Sequence, residues 1–140
     1  MKSKYPLILL IMYMLLLVYW MLLGFGRTPQ LHYQYNLLPL TTIIEMFQLY
    51  PLFSKPLLIN IIGNIIVFVP FGILLPILIN KKLTILLVIF LIGLSVMELS
   101  QLLLRRGSLD IDDYILNSIG FMLGYVIFIP NRKRIMNTLN

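Results

Sequence analysis

Four long apolar runs constrain this chain more than any other feature. They extend over residues 6–25, 57–79, 83–104 and 114–129, and the fourth is the shortest. A helix needs about 20 apolar residues to cross the hydrocarbon core of a bilayer. Because 60% of the 140 residues are hydrophobic and 11% are charged, a soluble core could not enclose this much apolar surface. The sequence therefore predicts an all-α integral membrane bundle of four transmembrane helices, with residues 1–140 forming a single domain.

The basic residues predict the orientation of the bundle. If both termini are cytoplasmic, the inner ends of the helices carry seven basic residues: Lys2, Lys4, Lys81, Lys82, Arg132, Lys133 and Arg134. The outer connections then carry four: Arg27, Lys55, Arg105 and Arg106. This imbalance follows the positive-inside rule. We therefore interpret the net charge of +6 as a topology signal rather than as a nucleic-acid-binding surface.

The first outer connection is long and is not plainly hydrophilic. Residues 37–53 are mostly apolar, and the segment from Thr42 to Glu45 fits a capping box at the start of a short helix. Ile43, Ile44 and Phe47 would share one face of that helix. The pattern predicts an interfacial helix in the first outer loop, and a loop packed on the bundle without a functional role is the alternative.

Polar side chains within the predicted spans form stripes that end at one outer level. Asn60 and Asn64 belong to the second span, Glu98 and Gln101 to the third, and Asp113 and Asn117 to the fourth. A charged group at the centre of a membrane helix costs about 2.5 to 3.5 kcal/mol on insertion scales, so such positions carry information about function. The stripes predict a polar site shared by three helices.

Each of these groups also has a purely structural interpretation. Asn and Gln hold membrane helices together, and Gly120-x-x-x-Gly124 permits close helix packing. Glu98 could pair with Arg105 or Asn64 without any chemistry. Asp112 or Asp113 could cap the fourth helix.

The outer loop from Arg105 to Asp113 is unusually rich in charge, with five charges in nine residues. Paired guanidinium groups suit phosphate or carboxylate ligands. Asp110, Asp112 and Asp113 together with Glu98 could bind Mg²⁺ or Ca²⁺, although their spacing is not that of an EF-hand. Alternatively, the acids and the arginines neutralise one another.

The ordered set of motifs resembles the VanZ-like family of bacterial membrane proteins. The resemblance covers about residues 36–125 and rests on these segments: Asn36-Leu-Leu-Pro39-Leu-Thr-Thr-Ile43, Asn60-x-x-Gly63-Asn64-x-x-x-Phe68-x-Pro70-Phe71-Gly72, Glu98-x-x-Gln101, and the run from Arg105 to Asp110-x-Asp112-Asp113-x-x-x-Asn117-x-x-Gly120-x-x-x-Gly124. The resemblance implies a multi-pass protein of the bacterial cytoplasmic membrane. It further implies a role in the cell envelope, where the family's founding member is associated with low-level resistance to the glycopeptide teicoplanin.

Two functional hypotheses follow. In the first, a non-enzymatic protein binds a polar or phosphate head group, such as that of a lipid-linked cell-wall precursor, or the glycopeptide itself. Its ligand-binding residues would be Asn60, Asn64, Glu98, Gln101, Arg105, Arg106, Asp110, Asp112, Asp113 and Asn117. In the second, a small membrane enzyme acts on such a substrate with a divalent cation, and its catalytic candidates are Glu98, Asp110, Asp112 and Asp113.

The non-enzymatic hypothesis is favoured because no complete catalytic motif is present and no Cys accompanies the acids. The sequence identifies no cofactor and assigns no metal ligand. The partners that we expect are the lipid bilayer and an envelope component, not nucleic acid.

Overall fold

The computed structural model describes residues 4–139 and is almost entirely helical. Lys2, which the orientation argument uses, lies outside this range. The elements in chain order are α1 (Tyr5–Leu22), β1 (Gln34–Asn36), α2 (Thr41–Leu49), α3 (Lys55–Leu78), α4 (Leu83–Leu103), β2 (Ser108–Asp110) and α5 (Ile111–Leu139). Within residues 4–139, four helices (α1, α3, α4 and α5) are long and apolar enough to cross a membrane. This confirms the predicted number of spans.

The helix ends differ from the predicted ones mainly at α1 and α5. α1 stops at Leu22, because the chain turns through a short 3₁₀ segment at Gly24–Gly26. The fourth helix is not short: α5 has 29 residues and begins before the predicted residue 114. Its first turn is polar, and its last turns pass Pro130 into a basic tail, so hydropathy alone underestimates its length.

Close contact between α3 and α5 forms the centre of the bundle. A Cβ atom added at Gly120 would collide with the carbonyl oxygen of Ile65, and one at Gly124 with that of Val69. From the opposite side, a Cβ atom at Gly72 would collide with the carbonyl oxygen of Phe121. The two backbones therefore touch, which confirms the predicted packing role of Gly120-x-x-x-Gly124.

Aromatic side chains fill the space between α3, α4 and α5 in the middle of the bundle. Phe90 of α4 stacks on Phe121 of α5 with ring centroids 4.6 Å apart, and Phe68 of α3 meets Phe90 edge to face at 5.6 Å. α1 joins this core through Tyr13, whose hydroxyl donates a 2.7 Å hydrogen bond to the carbonyl oxygen of Val67. In each of the four spans, no more than 33% of the most apolar stretch is buried, so much of the surface of each helix is accessible to lipid.

One end of the bundle collects basic residues. The turn between α3 and α4 contains Lys81 and Lys82, and Arg132 of α5 donates a 2.7 Å hydrogen bond to the side-chain oxygen of Asn80 in that turn. α3, α4 and α5 therefore meet at this end. The acidic residues Glu98, Asp110, Asp112 and Asp113 lie at the opposite end, since α4 runs between the two.

The opposite end carries a two-stranded parallel sheet that the sequence did not predict. Strands β1 and β2 pair in the register Gln34 with Ser108, Tyr35 with Leu109 and Asn36 with Asp110. Each strand has only three residues, which is too short for a visible alternation of apolar and polar side chains. The sheet joins the connection that follows α1 to the connection that follows α4.

The glycine contact gives a direct test of the packing. Gly120→Ala should lower the free energy of unfolding by about 1 to 3 kcal/mol, because the new methyl group has to displace backbone rather than a side chain. Gly93→Ala in α4 is the matched control, since nothing lies within 4 Å of its Cβ position. Thermal unfolding of both variants in one detergent measures the difference, and equal stability would contradict the close contact.

Candidate functional site

Asp110 is a buried carboxylate that connects three parts of the chain. Its side chain is 5% exposed and accepts hydrogen bonds from the Thr42 hydroxyl at 2.5 Å and from the Asn36 amide at 3.3 Å. The same carboxylate accepts the backbone N–H of Asp112 at 2.9 Å, which is the N-cap interaction for α5. The prediction that Asp112 or Asp113 caps this helix is therefore wrong, because Asp110, which precedes the helix, is the capping residue.

Asp112 caps a different helix. Its side chain is fully buried, and its two carboxylate oxygens accept the backbone N–H groups of Leu40 at 2.5 Å and Ile43 at 3.0 Å. Leu40 is the N-cap residue of α2, and Ile43 is the third residue of that helix. These are the two N–H groups that a capping box satisfies, and here one carboxylate from α5 serves both.

The short helix predicted in the first outer connection is present, but its predicted capping box is wrong. α2 begins at Thr41 after Leu40, whose φ of 66° is left-handed. Thr42 therefore lies inside the first turn, and its hydroxyl donates to Asp110 instead of accepting a backbone N–H. Glu45 lies on the exposed surface of α2. Local sequence could not reveal this cap, because the carboxylate of Asp112 lies 69 residues along the chain from Ile43.

Asp113 ties α5 to α3. Its carboxylate accepts a 2.6 Å hydrogen bond from the side-chain amide of Asn64. The next polar groups along the two helices are Asn60, one turn before Asn64, and Asn117, one turn after Asp113. Asn60 lies in a π-helical stretch, Leu58–Gly63, a helical irregularity that often occurs at functional sites.

Glu98 is the acidic residue of α4, and only 1% of its surface is exposed. Its Oε2 atom has no hydrogen-bond partner, while the backbone N–H of Asp110 lies within reach of the carboxylate. The charges that act most strongly on it are the acids Asp113 and Asp110, followed by the cation Arg27. The buried amide oxygens of Asn60 and Asn117 also have no partner, and Asn117 is 1% exposed.

The two arginines of the loop do not face the acids. Arg105 and Arg106 end α4 in a Schellman motif: Arg105 has a φ of 54°, and the Arg106 N–H reaches the Gln101 carbonyl oxygen at 2.9 Å. The side chain of Arg105 donates to the carbonyl oxygen of Leu31 at 3.3 Å, and that of Arg106 to Leu22 at 3.2 Å. The predicted pairing of Glu98 with either arginine is wrong, because the guanidinium groups of both arginines donate to these backbone carbonyl oxygens instead.

Sequence reasoning missed four residues that build this end of the bundle: Arg27, Asn36, Leu40 and Thr42. Arg27 supplies the cation that acts on Glu98 and Asp113, and it donates a 3.0 Å hydrogen bond to the carbonyl oxygen of Arg106. Asn36 contacts both Thr42 and Asp110. The available signal was the resemblance of the segment from Asn36 to Ile43 to the VanZ-like family, because that segment contains Asn36, Leu40 and Thr42.

The structure brings most of the predicted site residues together. Asp110 and Asp112 organise the outer surface, while Asn64, Asp113 and Glu98 lie beneath them. Gln101 is buried but turns toward α1, where its amide donates to the Met21 carbonyl oxygen at 3.0 Å. Among the residues that the structure describes, no group of three or more His, Cys, Asp or Glu side chains is arranged to hold a metal ion.

The comparison with protein families decides the assignment. The model of the family described as VanZ/LLP1 matches residues 8–136, nearly the whole chain. The chain belongs to the VanZ/LLP1 family. No curated protein and no solved structure matches it. Membership in the VanZ/LLP1 family and four helices of spanning length make it a VanZ-like multi-pass membrane protein, as the sequence predicted.

The hydrogen bonds of Asp112 to the start of α2 predict the effect of removing its carboxylate. Asp112→Ala should loosen α2, with a loss of about 1 to 2 kcal/mol, because two N–H groups lose their acceptor. The chain has no native cysteine, so Ile43→Cys can report the change through its rate of maleimide labelling. Asp112→Ala should increase that rate. Ile44 is already 50% exposed, so a cysteine at that position should label rapidly whether or not Asp112 is replaced. An unchanged rate at Ile43→Cys would contradict the capping role.

Proposed function

We propose that this protein acts at the outer face of the bacterial cytoplasmic membrane, where its polar site binds the head group of an envelope component and thereby reduces the action of teicoplanin-type glycopeptides. The observation that carries the proposal is the burial of Glu98. A carboxylate that is 1% exposed and retains an unpartnered oxygen is costly unless it binds something.

The charge distribution supports an outward-facing site. The basic end of the bundle, with Lys81, Lys82 and Arg132, favours the cytoplasm by the positive-inside rule. The acidic end, at the opposite ends of α4 and α5, then faces outward. Lipid-linked wall precursors and glycopeptides meet on that side of the membrane.

The contacts of the arginines indicate which of them would bind an anionic head group. Arg27 is better placed than Arg105 or Arg106 to meet an anionic head group beside Glu98, because it is the arginine whose charge acts on Glu98. Its guanidinium uses one nitrogen for the Arg106 carbonyl and has further donors for a ligand.

An enzymatic role is the second candidate, and the neighbouring carboxylates of Glu98 and Asp113 favour it. Carboxylates in unequal environments can divide the roles of acid and base. Expression of an enzyme would change the composition of lipid-linked precursors, as measured by mass spectrometry, whereas a binding protein would leave that composition unchanged.

Labelling of single cysteines tests the orientation on which the proposal depends. Ser108→Cys should react with an impermeant maleimide added to intact cells, because Ser108 lies in the exposed outer strand β2. Asn80→Cys, in the turn at the basic end, should react only after the cells are opened. The reverse pattern would place the acidic site in the cytoplasm and would contradict the proposal.

Substitution of Glu98 tests whether the site acts on the envelope. Expression of the wild-type chain should raise the teicoplanin concentration that inhibits growth, and Glu98→Gln should return it to the level of the empty vector. Glu45→Gln is the matched control, since Glu45 is an exposed acid and should preserve the effect. Membrane abundance of each variant has to be equal. Resistance that survives Glu98→Gln would contradict the assignment of this site.

A further inference from the structure

The oxygens without partners are concentrated between α3, α4 and α5. Among the buried side-chain atoms of the described residues, Oδ1 of Asn60, Oε2 of Glu98 and Oδ1 of Asn117 have no hydrogen-bond partner in this part of the bundle. Asn60 lies one turn from Asn64, and Asn117 lies one turn from Asp113. The 2.6 Å bond between Asn64 and Asp113 joins the two pairs, and Asp113 is the charge that acts most strongly on Glu98.

The cluster has an excess of acidic groups and of hydrogen-bond acceptors. When Glu98 and Asp113 are ionised they repel each other, and the charge of Asp110 acts on both in the same sense. Arg27 is the cation that acts on these two acids, but its side chain is exposed and hydrogen-bonded to a backbone carbonyl. Burial of unpaired carboxylates is expensive, so an additional positive charge would stabilise the folded bundle.

The burial of these groups favours a bare ion over an organic group. Glu98 and Asn117 are each 1% exposed, and Asp112 closes the outer side with no exposed surface. A proton on Glu98 would supply one donor, which can serve at most two of the three unpartnered oxygens. Divalent cations of the calcium and magnesium class bind six or more oxygens, and carboxylates and amide carbonyls are their usual protein ligands.

We propose that Glu98, Asp113, Asn117 and Asn60 form a binding site for one hard divalent cation, Ca²⁺ or Mg²⁺, between α3, α4 and α5. Two carboxylates balance the charge of the ion, and two amide oxygens complete the protein part of its shell. The site needs no third acid, which is consistent with the lack of a three-acid cluster among the described residues. The inference deepens the proposed function, because the ion would occupy the unpartnered oxygen of Glu98 and a head group would then meet Glu98 through the ion.

Calorimetry on the purified full chain in lipid nanodiscs, after removal of divalent ions with a chelator, tests this inference. We expect one Ca²⁺ or Mg²⁺ to bind per chain. We also expect thermal unfolding to shift upward, because an ion at 100 times its dissociation constant multiplies the folded-to-unfolded ratio by about 100. Absence of both a binding heat and a shift with either ion would overturn the proposal.

Two variants test the location of the ion. Glu98→Gln removes a charge while retaining the shape of the side chain, and Asn117→Leu removes the amide oxygen while retaining the branching of the side chain. Each should weaken binding by at least about tenfold, as expected for the loss of a ligand with a coupling of about 1.4 kcal/mol or more. Glu45→Gln should bind the ion as the wild type does.

If either site variant fails to fold, Asn60→Ala, at a half-buried position, replaces it. Wild-type affinity in all site variants that fold would overturn the assignment.

The cation inference and the proposed function can fail separately. Calorimetry uses no glycopeptide and no envelope lipid head group, so loss of the resistance effect in cells would leave the binding result intact. Conversely, a chain that raises the inhibitory teicoplanin concentration but binds neither ion would retain its proposed function and lose its cation site.

Discussion

Direct contact between the backbones of α3 and α5 determines the positions of the remaining elements. Because Gly72, Gly120 and Gly124 lack side chains, the two helices lie closer than side chains normally allow. That distance lets Asn64 of α3 reach Asp113 of α5. It also fixes the start of α5, where Asp110 and Asp112 emerge beside the first outer connection. The acidic end of the bundle is thus a consequence of helix packing in its middle.

Two buried carboxylates then organise the segments at the acidic end of the bundle through hydrogen bonds. Asp110 and Asp112 accept backbone N–H groups and neutral side-chain donors from Asn36 to Ile43, so their burial is compensated by hydrogen bonds. Glu98 lacks such compensation at one oxygen. This contrast separates the acids: the first two hold α2 and the sheet on the bundle, and Glu98 is the group that remains available to a ligand or an ion.

The sequence predicted features that depend on local pattern and failed where distant segments meet. Apolar runs were sufficient for four spans, and the spacing of Gly120 and Gly124 was sufficient for close packing. The capping box at Thr42 was wrong because Asp112, remote in sequence, supplies the cap. Arg105 was a poor choice of partner for Glu98, since helical periodicity does not anticipate that the chain turns at Arg105 with a positive φ. Arg27 gave no signal, because its role depends on the fold of the first outer connection.

Disulfide crosslinking of the two outer strands tests the account most directly. Tyr35 and Leu109 are paired residues of the parallel sheet, and neighbouring strands lie about 4.8 Å apart, within the usual range for a disulfide. In a Tyr35→Cys, Leu109→Cys variant in intact cells, an oxidant that does not cross the membrane should form the intramolecular bond. Its failure to form, with both thiols present and the chain at normal abundance, would contradict an outward-facing end held together by Asp110 and Asp112.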